Sequence, residues 1–173
     1  MSTLLLDERS APSLRQVFGA TLARATHADF AVTRIRLAGI DLSAAELTRV
    51  RMLRVLVGQL DVETLAKGGE PGRKQPQHDV LLRLFDSGRL EVRAAGLQAW
   101  YPDFSVLRGL AGGGAVTILG AHYFARPHPT IGPALTCIVT DPGTTAAATT
   151  RFEELWRAAY DVSQVVQNAV QHR

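Results

Sequence analysis

Groups able to do chemistry are thinly spread in this chain, and those that stand out fall into three places. His122 and Tyr123 follow the apolar run Ala115 to Leu119. A histidine there can serve as a lone acid-base group or hold a phosphate. No carboxylate partner is identifiable for it, however, and a strand-end histidine of that kind reads first as structural. Trp100-Tyr-Pro-Asp-Phe104 is the most unusual phrase. Trp100 and Tyr101, with Asp103 beside them, can stack on a base or on a partner side chain; an aromatic-proline turn can equally plug a pocket. The third place is a set of arginines. Alternation from Phe30 to Leu37 puts Arg34 and Arg36 on one side of a strand, and the spacing leaves open whether Arg51 and Arg54 join them. Gly72-Arg-Lys74 adds further positive charge.

Other motifs carry less. Gly109 to Gly114 invites a phosphate-loop reading but lacks the following Lys-Ser/Thr and joins two strands, so a hairpin is the better account. His27 and His78 fall at predicted helix ends and His128 in a proline-flanked loop. No pair of histidines or carboxylates has metal-ligand spacing on one element, so neither a metal site nor a cofactor is expected. Cys137 is the only cysteine. It excludes an internal disulfide and, lying in an apolar run, reads as a small core residue.

These residues need a scaffold, and the hydrophobic pattern supplies one. Leu14, Val17, Phe18, Leu22 and Ala25 mark the apolar face of a first helix that Asp29 ends. Phe30 to Leu37 is a strand. Ser43 and Glu46 are spaced as a capping box for a short helix, and Met52 to Leu60 is a buried strand. Asp61 to Ala66 makes one or two helical turns, and Gly68 to Gln77 is a polar loop, read as exposed and mobile. Asp79 to Ser87 is a helix and Leu90 to Ala94 a strand. Three more apolar segments follow at Phe104–Leu107, Ala115–Leu119 and Ala134–Thr140. A closing helix starts at a capping box, Thr150 to Glu153, with the stripe Phe152, Leu155, Trp156, Ala159, Val162 and Val166. The order α-β-α-β-α-β-β-β-β-α predicts an α/β domain with helices on a mixed β-sheet.

Composition limits the possible classes. The 173 residues, 46% of them apolar, suit a single domain spanning 1–173. No apolar run approaches the roughly 20 residues of a membrane span. Met1 to Asp7 has no basic region or cleavage site of a secretory signal, and the lone cysteine fits a reducing cytoplasm. Net charge is +3 with pI ≈ 9.5. The charge is nearly all arginine, since Lys67 and Lys74 are the only lysines. Arginine suits phosphate recognition through its bidentate fork; arginine bias with abundant alanine is also what a GC-rich genome produces.

The order of elements and several local phrases resemble a phospholipase D-like half-domain, over about residues 12 to 162. Met52-Leu-Arg-Val-Leu-Val57 and Leu90-Glu-Val-Arg93 look like its early strands. Ala115-Val-Thr-Ile-Leu-Gly-Ala-His-Tyr123 is similar to the family's GSaN strand, Gly132 to Thr140 to the strand after it, and Phe152-Glu-Glu-Leu-Trp156 to its closing F-x-x-L-W phrase. The family's signature is H-x-K-x4-D, in which histidine attacks phosphorus and lysine neutralises the phosphate oxygens. Anchored on Gly120 and Ser105-Val-Leu107, the histidine position is Pro102 and the lysine position Phe104; a two-residue shift offers Trp100 and Pro102. Ala121 and Tyr123 replace the GSaN serine and asparagine, and the later glutamate position is apolar or Thr136. Phosphoryl transfer needs a nucleophile and positive charge at the transferring group, and these residues provide neither.

The resemblance therefore implies a pseudoenzyme. In this family two half-domains meet at the active site, so a one-half chain is expected to homodimerise. Three functions compete. The first is a non-catalytic binding or scaffold protein holding nucleic acid or a protein partner through the old cleft or the arginine face, with Trp100, Tyr101, Asp103, His122, Tyr123, Arg34, Arg36 and Arg54 as candidate ligand-binding residues. The second is a phosphodiesterase with a rearranged site using His122 as its catalytic group. The third is an assembly subunit of a larger complex.

Overall fold

The predicted strand at Phe30 and the apolar run at Met52 are parallel neighbours in the computed structural model, which describes residues 3–6, 14–34, 42–60, 76–96, 103–120 and 136–171. In chain order the elements are β1 (Thr3–Leu6), α1 (Leu14–Leu22), β2 (His27–Arg34), β3 (Met52–Gln59), α2 (Pro76–Asp86), β4 (Leu90–Ala94), β5 (Phe104–Arg108), β6 (Ala115–Leu119), β7 (Thr136–Val139), α3 (Pro142–Ala158), β8 (Tyr160–Asp161) and α4 (Ser163–Gln171). The strands form one mixed sheet in the order β1-β7-β6-β5-β2-β3-β4-β8. β2, β3 and β4 run parallel. β5, β6, β7 and β1 continue the sheet antiparallel beyond β2, and the two-residue β8 pairs antiparallel with β4.

Strand alternation sorts the side chains into two cores. Phe30, Val32, Leu53, Val55 and Val57 face one side, where Phe18 and Leu22 of α1, Leu81 and Leu84 of α2, and Val166 and Val170 of α4 cover them. Ala31, Leu56, Phe104 and Val106 face the other, under Phe152 and Trp156 of α3. The central strands are thus buried on both faces, which is why Met52 to Val57 is apolar on both sides of the strand except at Arg54. Each fully buried large side chain contributes roughly 1.5–3 kcal/mol. The architecture is the expected α/β sheet flanked by helices. No helix among the described residues is long and apolar enough to cross a membrane.

Several boundaries differ from the sequence reading. Asp29 does not end the first helix: α1 stops at Leu22, and Asp29 sits within β2, 1% exposed. Ser43 and Glu46 do form reciprocal capping bonds, Ser43 N–H to Glu46 Oε2 at 2.8 Å and Glu46 N–H to Ser43 Oγ at 3.3 Å, but they close a turn and not a helix. Pro76 and Gln77, read as the end of the polar loop, already belong to α2, with proline in the first helical position. Residues 61–75, including Gly72-Arg-Lys74, lie outside the described residues.

The C-terminal reading needs the largest correction. Thr150 is not a cap. α3 starts at Pro142, with Asp141 Oδ2 accepting from the Thr144 N–H at 2.9 Å, and Thr150 lies in mid-helix. The single predicted stripe is two helices separated by β8. Phe152 and Trp156 bury on one face of the sheet, and Val166 on the other. A strand at Thr3–Leu6, unforeseen, pairs with β7. Cys137 is only partly buried, on β7.

Candidate functional site

Of the residues singled out for chemistry, the structure describes Asp103 and Phe104, at the start of β5, and Arg34 and Arg54, on β2 and β3. Phe104 starts β5 and pairs across with Leu119 at the end of β6 and with Ala31 of β2. The chain arrives at β5 and leaves β6 here, so the segments bearing Trp100, Tyr101, His122 and Tyr123 join the described fold at this point. Those four residues, with Pro102, Ala121 and Arg36, lie outside the described residues, as does the loop of His128. Arg34, the last residue of β2 and so at this same end of the strand, pairs by its backbone with Gln59.

Asp103 is 7% exposed, and its Oδ1 accepts from the Thr33 N–H at 2.6 Å and from the Thr33 hydroxyl at 2.5 Å. Its carbonyl accepts from Gly120 N–H at 2.9 Å. One residue therefore ties the end of β2 and the end of β6 to the start of β5. A buried carboxylate without donors would cost several kcal/mol, so Thr33 and Asp103 depend on each other although 70 positions apart.

Phe104, which with Pro102 is one of the two positions where the resemblance can put a lysine, is 6% exposed. Its ring stands edge-on to Phe152, with centroids 6.5 Å apart and planes at 89°, and Phe152 stacks on Trp156 at 5.5 Å. The F-x-x-L-W phrase of α3 thus lies over the strand and fills this side with aromatic surface. A lysine ammonium in that place would lose hydration without gaining a counter-ion. Thr136, the candidate for the glutamate position, is fully buried on β7. Among the described residues no cluster of His, Cys, Asp and Glu can hold a metal.

Arg54, a candidate ligand residue, is engaged within the fold. Its Nε meets Asp29 Oδ1 at 2.7 Å and its Nη2 meets Glu153 Oε1 at 2.6 Å. The guanidinium also sits over Phe152 and Trp156, 4.8 and 5.2 Å from the ring centroids. Arg108 Nη2 closes on Asp29 Oδ2 at 2.5 Å, and Arg93 covers the same Trp156 at 4.7 Å. Burial alone would lower the pKa of Arg54, but the hydrogen bonds to Asp29 and Glu153 outweigh it and raise the value further. The Arg54 bond holds the Glu153 carboxyl below its ordinary range. This network cements α3 to β2, β3 and β5. Asp29 resembles a helix end in local sequence because its partners are 25 and 79 positions away. An acidic residue amid apolar neighbours was the one signal of its role.

The glycine run behaves as a hairpin. β5 and β6 pair antiparallel across it, with Leu110 N–H bonded to Gly114 O and Gly113 N–H to Leu110 O. Gly109 has φ +68°, and a Cβ there would lie 1.9 Å from Thr26 Oγ1, so only glycine fits.

No family model matches the chain, and no curated protein matches it. Solved structures do. TrmBL2, an archaeal chromatin protein whose structure shows a novel mode of DNA binding, is 13% identical with TM-score 0.55; the alignment covers 94% of this chain but 54% of that one. Nuc from Salmonella typhimurium, a phospholipase D family member, is 12% identical with TM-score 0.57, covering 92% and 97%. NucT from Helicobacter pylori is 9% identical with TM-score 0.57, covering 92% and 98%. The chain therefore has a phospholipase D-like fold. Identities this low speak to the fold alone.

Proposed function

We propose that this chain is a non-catalytic phospholipase D-like protein that pairs with a second copy and binds nucleic acid. The observation that carries the reading is Phe104. Where the resemblance expects the phosphate-neutralising lysine, an aromatic ring is packed under Phe152, and phosphoryl transfer without local positive charge has no means of stabilising its transition state. Pro102, Ala121 and Tyr123 at the other motif positions add no nucleophile.

Nucleic acid is the preferred ligand for two reasons. Many members of the superfamily it resembles act on nucleic-acid backbones, and one protein of similar fold is described as binding DNA. The net charge of +3, almost all arginine, has the right sign and chemistry for phosphate. Trp100, Tyr101, His122 and Tyr123 would supply stacking and hydrogen-bonding groups near the old cleft. Pairing follows from the one-half architecture, in which the cleft lies between two copies.

The test is a titration of labelled DNA and RNA over a salt series, with light scattering at micromolar concentration. The expected result is a dimer whose affinity falls steeply with salt. A flat salt response points to a protein partner instead, and a monomer removes the pairing. Phosphodiesterase turnover that disappears in His122→Ala would replace this reading with that of a rearranged enzyme.

A further inference from the structure

We propose that the sheet carries a second binding place, at the end opposite Phe104: an arginine bowl that takes backbone phosphates of the bound nucleic acid. The inference rests on the nucleic-acid reading above and says where the phosphates sit. In α/β sheets of this kind ligands ordinarily bind beyond the carboxyl ends of the parallel strands. The bowl lies instead at the amino ends of β2, β3 and β4. It is a shallow cavity of about 420 Å³ lined by Thr26, Thr48, Arg49, Val50, Arg51 and Arg89. Half of the lining is arginine and none of it is acidic.

The backbone explains how the cations come together. Val50 is fully buried, so the residues on either side of it turn outward. Arg49 and Arg51 are both exposed, and among the described residues neither has an ion-pair partner. Arg51 N–H donates to Thr26 O at 2.7 Å, which fixes the segment against the start of β2. Arg89, just ahead of β4, donates from Nε to Val50 O at 3.0 Å and from Nη2 to Leu47 O at 2.9 Å and also to Val50 O. Its charge is met by carbonyls alone. Glu46, in the turn before Leu47, accepts from the backbone N–H and hydroxyl of Ser43, each at 2.8 Å.

Arg49, Arg51 and Arg89 line this one wall, and among the described residues none of the three has an ion-pair partner. The complement of such a wall is an anion with several oxygens, and arginine forks match phosphate oxygens in pairs. Arg54 and Arg108, by contrast, are neutralised by Asp29 and Glu153. The fold thus separates Arg54 and Arg108, which have acidic partners, from the bowl arginines, which have none among the described residues. Ion pairing is what tells them apart, and sequence alone does not reveal it.

The experiment is fluorescence anisotropy of a short labelled duplex DNA, and of its single strand, with the full chain across a salt series. It compares the wild type, R49A/R51A, R49K/R51K, and R151A as a control. Arg151 is an exposed arginine on α3, paired with Glu154 and outside the bowl. Circular dichroism checks that the variants fold. Each lost phosphate contact should flatten the log–log salt slope by about 0.9, so R49A/R51A should be shallower by about 1.8 and roughly 10–100-fold weaker at low salt. R49K/R51K should keep most of the slope, and R151A should match the wild type. If the wild type binds DNA and R49A/R51A binds it equally with the same slope, the bowl is refuted while the nucleic-acid reading survives. If the wild type binds neither duplex nor single strand, the nucleic-acid reading itself falls. Saturable binding of inorganic phosphate without DNA binding overturns the proposal in favour of a small-anion site.

Discussion

Replacing Phe104 by alanine tests whether its ring fills this end of the sheet, as the proposed function requires. The ring is 6% exposed, contacts Phe152 edge-on at 6.5 Å, and belongs to a cluster with Ala31, Leu56, Val106 and Trp156. Truncating a phenylalanine in such a site removes its transfer free energy and leaves a cavity, together about 3–5 kcal/mol. About 0.5–1.5 kcal/mol of that is the aromatic pair. Against a typical total of about 5–15 kcal/mol the loss is large. For a chain of this size it lowers Tm by roughly 6–20 °C. Urea titration followed by far-UV circular dichroism and by tryptophan fluorescence, for which Trp156 is a near neighbour, measures it directly. Phe104→Lys should be at least as damaging, because the ammonium would be buried without a counter-ion, and it should restore no phosphodiesterase activity. The decisive opposite outcome is an F104A loss below about 1 kcal/mol at unchanged m-value, or an F104K variant as stable as the wild type. Either would mean that Phe104 lines an open cleft, and the case for a filled site would collapse.

Two further outcomes follow from the arginine network. Asp29→Asn leaves Arg54 and Arg108 short of their shared counter-ion, and breaking a buried pair in this way should cost about 3–5 kcal/mol in the same assay. Glu153→Gln, at a partly exposed pair, should cost no more than about 1 kcal/mol. Because Arg54 holds the folded Glu153 carboxyl below its ordinary value of 4.5, the pair adds stability that is fully present above that pH and is lost as pH falls through the lower folded value. Denaturation curves between pH 7 and strongly acid conditions should therefore show a smaller acid loss in Glu153→Gln than in the wild type; identical profiles would remove the pair as a contributor.

Local pattern was enough to place most of the sheet. The mainly apolar run at Met52, the alternation at Phe30 and the short strands at Leu90, Phe104 and Ala115 carry their period in the sequence itself, because each face of a strand meets one kind of surroundings. The glycine hairpin and the Ser43–Glu46 capping pair were legible for the same reason: both are closed by residues a few positions apart. The phenylalanine at position 104, where the resemblance allows a lysine, was also visible as a residue type in the sequence.

Other features depended on contacts between distant positions. The break of the C-terminal helix at Tyr160 comes from β8 pairing with β4, and Phe152 and Val166 lie on opposite faces of the sheet although one stripe joins them in sequence. Thr3–Leu6 became a strand only because β7 offered it an edge. Asp29, which looks like a helix terminator, is a buried anchor whose arginines come from two other strands. Arginine identity was written in the sequence from the start. Its division between cations neutralised inside the fold and the three left facing a shared bowl was made by tertiary structure, because ion pairing depends on distance in space and not along the chain.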